Sequence, residues 1–362
     1  MNKTRYIIPI FVPHEGCPHD CVFCNQNSIT GTTTKVTAEF VKKTVEEYLK
    51  TLPKENRILE ISFFGGTFTA INMEKQKELL TVAKFYKDKG VIDNIRLSTR
   101  PDYIDDYILS NLKDYSVDII ELGVQSMDKE VLINSARGHS KEDVINASLL
   151  IKAYGFTLGH QIMLGLPSDN FKKDIETTSE IIKLSPDLCR IYPALVIKDT
   201  PMEKMYYSNI YKPYTLKEAV QISKVIYGML VSNNINVIRI GLQTTEEINV
   251  GKDIVAGPFH PSFRELVEGS IFNELILDSA PENYSGDYEV TVNEKDISKL
   301  FSNKKIFFND TKEQLKTLNI KIKQSKNINR SEMELAYLNH CHKVSINEFL
   351  TKKYKEGYLN LL

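Results

Sequence analysis

Three cysteines stand close together in Cys17-Pro-His-Asp-Cys21-Val-Phe-Cys24. Thiolates are soft ligands, and on one irregular loop they can converge on a single metal centre. Three of them leave one iron of a cubane without a protein ligand, and an open coordination position is where chemistry happens. The same residues also suit a structural zinc completed by His14 or His19, or three unliganded thiols. Either histidine can hydrogen-bond to sulfur and tune a bound centre.

The elements that hold such a loop follow from the hydrophobic pattern. Strand-like runs cover residues 5–12, 58–64, 95–98, 117–124, 157–164, 188–192 and 237–240. Helical spacing covers 38–52, 73–87, 102–112, 129–136, 141–154, 171–183 and 216–231. This alternation predicts βαβ units and a parallel sheet. Six units run to about residue 200, which predicts an α/β fold built as a partial (β/α)6 TIM-like barrel. In such folds chemistry sits on the loops after the C-terminal strand ends. The cysteines follow the first strand. Gly65-Gly66-Thr67 follows the second, where glycines let a ligand approach the backbone. Ser98 ends the third strand, Gln125 the fourth, and Gln161 lies in the fifth.

Bulk properties bound the rest. The chain has 362 residues, 46 Lys+Arg against 47 Asp+Glu, and net charge -1. That excludes a uniformly basic coat but leaves room for a local patch. A hydrophobic content of 42% excludes wholesale disorder. Five cysteines, an odd and sparse set, argue against a disulfide framework. The apolar run at 6–12 is broken by Pro9 and has no small-residue cleavage site, and no stretch reaches the ~18 apolar residues of a membrane span. The expectation is a cytoplasmic protein with reduced thiols and no membrane partner.

From about residue 250 the pattern changes. We expect a barrel at 1–245 and a small α+β extension at 246–362. Between Lys299 and Arg330 stand nine basic residues and two acidic ones, Asp310 and Glu313, read as a basic face. Ala256-Gly257-Pro258 with His260-Pro261 reads as an ordered loop. Cys189 reads as a buried thiol. His340-Cys341-His342 reads as a strand whose neighbours point to opposite faces.

As an ensemble, these motifs resemble the radical S-adenosylmethionine (SAM) superfamily. The resemblance rests on C-x3-C-x2-C with Phe23 before the third cysteine, and spans roughly residues 5–240. It implies that Cys17, Cys21 and Cys24 hold a [4Fe–4S] cluster whose fourth iron binds SAM. Reductive cleavage then gives methionine and a 5′-deoxyadenosyl radical. Gly65-Gly66-Thr67 resembles the family's GGE motif, with Thr67 in the place of Glu, so that backbone contact to the SAM amino group is implied.

Glu121-Leu-Gly123-Val124-Gln125-Ser126 followed by Arg137-Gly138-His139 resembles the coproporphyrinogen-oxidase-like and Elongator-like branches. By that resemblance Gln125 reaches the SAM ribose and Arg137 pairs with its carboxylate, for which a guanidinium fork is well shaped. Ser98 and Gln161 replace acidic nucleoside contacts of the porphyrin branch. Amides and hydroxyls also hydrogen-bond ribose and adenine.

Ser98-Thr-Arg-Pro-Asp102, Arg190-Ile-Tyr192-Pro193 and Tyr211-Lys-Pro213-Tyr214 add likeness to the radical-SAM portion of the Elongator catalytic subunit. That implies tRNA as a partner, and flavodoxin or ferredoxin as electron donor. The chain ends at Leu362 and shows no acetyl-CoA loop of the Q/R-x-x-G-x-G/A kind, so no acetyltransferase domain is expected. Two alternatives stay open: a radical SAM enzyme acting on a small molecule or tetrapyrrole, and a non-catalytic metal-stabilised RNA-binding module.

Overall fold

The computed structural model describes residues 3–12, 17, 19–25, 36–242 and 252–355. His14 and the expected boundary at residue 245 lie outside these described residues. Seven parallel strands form the main sheet in the order β1-β2-β3-β4-β5-β6-β8. They are β1 (Thr4–Val12), β2 (Arg57–Gly65), β3 (Asn94–Thr99), β4 (Ile119–Gln125), β5 (Thr157–Leu164), β6 (Leu188–Pro193) and β8 (Asn236–Ile240). Spatial order follows chain order, so the sheet winds in one direction without a reversal. That is barrel winding, and the result is a curled half-barrel. The strand expected at 237–240 joins as a seventh member beside β6.

Helices return the chain after each strand: α1 (Ala38–Thr51), α2 (Met73–Asp88), α3 (Asp106–Asp114), α4 (Lys129–Asn134), α5 (Lys141–Ala153), α6 (Phe171–Leu184), α7 (Pro201–Tyr207) and α8 (Leu216–Ser232). Side-chain caps set their starts: Thr37, Asn72, Asp128 and Asn170 each accept a backbone amide of the first turn. The helix expected over 102–112 instead divides. A 3-10 turn covers Pro101–Tyr103, and α3 starts only where the Asp105 carboxylate accepts the Ile108 amide at 2.7 Å.

The strands alternate strictly between two environments. Ile8, Ile10, Leu59, Ile61, Ile95, Leu97, Leu122 and Ile191 belong to one buried apolar core. The register puts the residues between them on the opposite, concave face: Glu60 and Ser62, Arg96 and Ser98, Glu121 and Gly123, Gly159 and Gln161, Arg190 and Tyr192. Apolar side chains thus pack outward on helices while polar ones line the half-barrel.

The extension begins with α9 (Phe263–Asp278). A short strand, β7 (Val196–Ile197), pairs with β9 (Ile254–Ala256) ahead of it. A four-stranded sheet follows in the order β11-β10-β12-β13, made from β10 (Gly286–Val292), β11 (Leu318–Gln324), β12 (Glu332–Tyr337) and β13 (His340–Ser345). Further helices are α10 (Ile297–Leu300), α11 (Ile306–Gln314) and α12 (Ile346–Tyr354). The core runs on from the barrel through Val267 and Leu275 to Leu350 and Tyr354, so the extension is packed onto the barrel helices. A side chain at Gly228 of α8 would meet the Tyr354 ring at 2.4 Å.

The expected basic face is corrected by the register. Lys321 and Lys323 of β11 lie beside acidic residues of β10 and pair with Asp287 at 2.5 Å and Glu289 at 2.6 Å. Lys299 pairs with Glu268 and Arg330 with Asp296. Acidic residues outside the Lys-rich stretch therefore neutralise four of its cations. Lys304, Lys305, Lys312 and Lys316, along and beside α11, are exposed and make no ion pair among the described residues. Among the described residues no helix is long and apolar enough to cross a membrane.

Candidate functional site

The cysteine loop lies at the C-terminal end of β1, as its position in the βα series requires. Cys21 is buried, and Cys17 and Cys24 are half-buried. The Cys24 amide donates to the Cys21 carbonyl at 3.0 Å, folding the second half of the loop into a turn. Two neighbouring segments hold that turn. The Val22 amide donates to the Ser135 carbonyl at 3.1 Å, and the Met202 amide donates to the Val22 carbonyl at 2.8 Å. Phe23 packs on Leu166 with Ala194 and on Val196 with Met202. His19 is exposed, with its ring over Gly138; a Cβ there would lie 2.4 Å from the imidazole.

Gly65 has φ +110°, and a Cβ on it would sit 2.7 Å from the Val12 carbonyl oxygen. Only glycine fits, because the left-handed backbone and the close approach act together. The Gly66 amide donates to the same Val12 carbonyl at 2.9 Å, closing the ends of β1 and β2 together. Thr67 is buried, and its hydroxyl lies 3.4 Å from the Cys17 sulfur. Its side chain is thus engaged by the cysteine loop.

Arg137 joins the loop to the fourth strand. Its Nη1 donates to Cys21 Sγ at 3.2 Å and its Nη2 to the Gly123 carbonyl at 2.6 Å, while the buried Nε has no partner. Gln125 ends β4 with φ +64° and is buried, with an unpartnered Oε1. Ser98 and Gln161 are half-buried on the concave face. His139 is buried, and its Nε2 faces the Val124 carbonyl at 3.1 Å. Burial, aided by the Arg137 and Arg100 guanidiniums, pushes the imidazole down to about 3 and keeps it neutral. Cys189 lies in the core, where burial pushes its thiol up to about 12, leaving a non-nucleophilic bystander.

A buried ion network that the sequence analysis did not assign forms the floor of the half-barrel. Arg96 donates Nε to Glu60 Oε2 at 2.9 Å and Nη1 to Glu121 Oε1 at 2.5 Å. Arg190 pairs with both Glu121 oxygens through Nε and Nη2, and Arg5 reaches Glu60 from the rim. Burial pushes the Glu121 carboxyl up, and the Arg190 and Arg96 guanidiniums outweigh it, holding it below the usual range. The signal was available as one charged residue inside each of four apolar strands, on the parity of Ser98 and Gln161.

Among the described residues no group of three His, Cys, Asp or Glu side chains could share a metal ion as they stand. The donor chemistry nevertheless fits a thiolate-held centre with a polar ligand beside it. Three cysteines share one loop, a guanidinium approaches one sulfur, and the buried Gln125 Oε1 and Arg137 Nε want partners.

Comparison with known proteins decides the family. A radical SAM superfamily profile matches residues 11–181, and a radical SAM C-terminal domain profile matches residues 186–272. An uncharacterised protein of Methanocaldococcus jannaschii is 33% identical over 223 residues, 58% of this chain and 67% of that one. The chain belongs to the radical SAM superfamily. Radical SAM membership makes it an enzyme and implies a [4Fe–4S] cluster and SAM. A radical SAM relative described as a tRNA uridine(34) acetyltransferase, also from M. jannaschii, is 28% identical over 255 residues, 60% of this chain and 47% of that protein. This chain therefore spans about half of that relative's length. The solved archaeal Elp3 of Methanocaldococcus infernus, with its N-terminus deleted, matches the fold with a TM-score of 0.61 at 23% identity, covering 76% of this chain and 64% of that one.

Proposed function

We propose that this radical SAM enzyme holds its [4Fe–4S] cluster with Cys17, Cys21 and Cys24 and acts on tRNA. When bound, the cluster supplies one electron to SAM, giving methionine and a 5′-deoxyadenosyl radical that takes hydrogen from the substrate. The carrying observation is the convergence of Arg137 on Cys21 and Thr67 on Cys17, beside two buried polar atoms that need partners.

Each residue then has a defined task. The backbone at Gly65 and Gly66 leaves space for the SAM amino group, because neither residue carries a side chain into the mouth. Thr67 orients Cys17. Arg137 steadies Cys21 and turns its remaining donor capacity to the SAM carboxylate. Gln125 offers its unpartnered Oε1 to a ribose hydroxyl. Ser98 and Gln161 bind the nucleoside from the concave face. Phe23 shields the mouth with its apolar neighbours, which lowers the local dielectric and strengthens the polar contacts.

The tRNA assignment is supported by the tRNA-modifying relative and by the exposed lysines of α11. Phosphate contacts release counterions, so binding should weaken steeply with salt. Gel-shift titration with unmodified tRNA from 50 to 200 mM salt tests this. A salt-dependent complex supports the assignment, and no complex at the lowest salt contradicts it.

A further inference from the structure

We infer that His260 and the cleft beside it form a subsite for one unpaired nucleobase that carries a carbonyl oxygen. The inference rests on the proposed RNA substrate and extends it to a specific residue and base chemistry.

His260 begins α9, and its hydrogen bonds fix its tautomer. The Ser262 amide donates to His260 Nδ1 at 3.1 Å, and the Phe263 amide donates to the His260 carbonyl at 3.1 Å. Ser262 contributes no side-chain cap, so His260 does that work. A ring nitrogen that accepts an amide proton carries no proton of its own, so the ring proton sits on Nε2. Among the described residues that Nε2–H has no partner. A half-buried imidazole is thus held in one tautomer with its donor uncommitted.

The surroundings say what it can meet. His260 lines an open cleft of about 200 Å³ with Pro193, Leu195, Gly241, Leu242 and Phe263. The lining has no lysine or arginine, so it suits a neutral ring better than a phosphate. An aromatic base in an apolar slot gains stacking, and one directional donor at the edge selects its functional group. Uracil, cytosine and guanine offer a carbonyl there, whereas adenine does not.

The cleft also belongs to the working end of the barrel. Pro193 closes β6 and Gly241 follows β8, the same end at which β1 delivers the cysteines. Gly257, with φ +112°, presses the loop onto the next segment; a Cβ there would lie 3.1 Å from the Ala194 carbonyl oxygen. Ala194 in turn packs with Phe23 of the cysteine loop. One contact chain therefore runs from between Cys21 and Cys24 to the His260 loop. A base bound there would flank the nucleotide presented to the mouth.

The test uses the full chain and two labelled pentanucleotides, oligo-U and oligo-A, followed by fluorescence anisotropy. One hydrogen bond gained or left unmade predicts oligo-U binding about threefold to tenfold tighter than oligo-A. His260→Asn keeps an acceptor for the Ser262 amide but removes the distal donor. It should keep the wild-type melting temperature and lose the preference. His260→Gln, whose amide reaches farther, should restore part of it. Equal binding of the two oligonucleotides by the wild-type protein overturns the subsite, as does an Asn variant that keeps the preference. Failure of both to bind at low salt overturns the RNA assignment itself, and the subsite with it.

Discussion

The guanidinium of Arg137 donates to the sulfur of Cys21 at 3.2 Å while also holding the Gly123 carbonyl. One side chain thereby couples the cysteine loop after β1 to the end of β4. Arg137→Met should weaken SAM binding to cluster-reconstituted protein by about tenfold to a hundredfold, the range of a lost charge-assisted hydrogen bond. Arg137→Lys keeps the charge but loses the fork, and should recover only part of that affinity. Equilibrium dialysis with SAM reads both, and unchanged affinity in the Met variant contradicts the role.

Two glycines with positive φ separate backbone strain from crowding. Gly90 has φ +67° and open space around its Cβ position, so Gly90→Ala should cost about 1 kcal/mol. Gly65 has φ +110° and the Val12 carbonyl 2.7 Å from that position, so Gly65→Ala should cost about 3 kcal/mol or more. Urea midpoints at matched m-values give the comparison. Equal costs would show that the ends of β1 and β2 are not locked at this contact.

Arg96 is fully enclosed between Glu60 and Glu121. Arg96→Met strands two buried carboxylates and should cost about 3–5 kcal/mol. Adding Glu60→Gln should recover part of the loss, because one of the stranded charges is removed. If the single variant unfolds at the wild-type urea concentration, the network is not holding the floor of the half-barrel.

A carboxyl pair behind the loop after β5 gives a pH signature. Burial pushes the Asp169 carboxyl up to about 6, and burial together with Asp169 pushes Asp174 well above the usual range; Tyr214 donates to Asp174 at 2.8 Å. In the unfolded chain such groups ionise near pH 4, so the folded state binds more protons between about pH 4 and 6. Their contribution is complete below that window and is lost as pH rises through it. Asp169→Asn should therefore gain a few degrees of melting temperature relative to wild type between pH 4.5 and pH 8. A difference that is flat or falls with pH contradicts the shared-proton geometry.

Much of this was legible from residue order. The strand limits at 157–164 match β5 to the residue, because Gly155 and Gly165 flank an unbroken run there. Motif positions at strand ends needed only the βα alternation. The Arg96–Glu121–Arg190 network was not assigned, although its charges stand in the strand text, because which carboxylate meets which guanidinium depends on register and curl. The basic face was misread for the same reason: Asp287 and Glu289 lie more than thirty residues before the lysines they neutralise. Composition sees a stretch of chain, whereas a sheet pairs it with another.

The central claim is reductive SAM cleavage at Cys17, Cys21 and Cys24. The direct measurement is 5′-deoxyadenosine formed from SAM and dithionite by anaerobically reconstituted protein, compared with Cys21→Ala. The account predicts product from the wild-type protein and none from the variant. A wild-type protein with a full complement of iron and sulfide that forms no 5′-deoxyadenosine would contradict it.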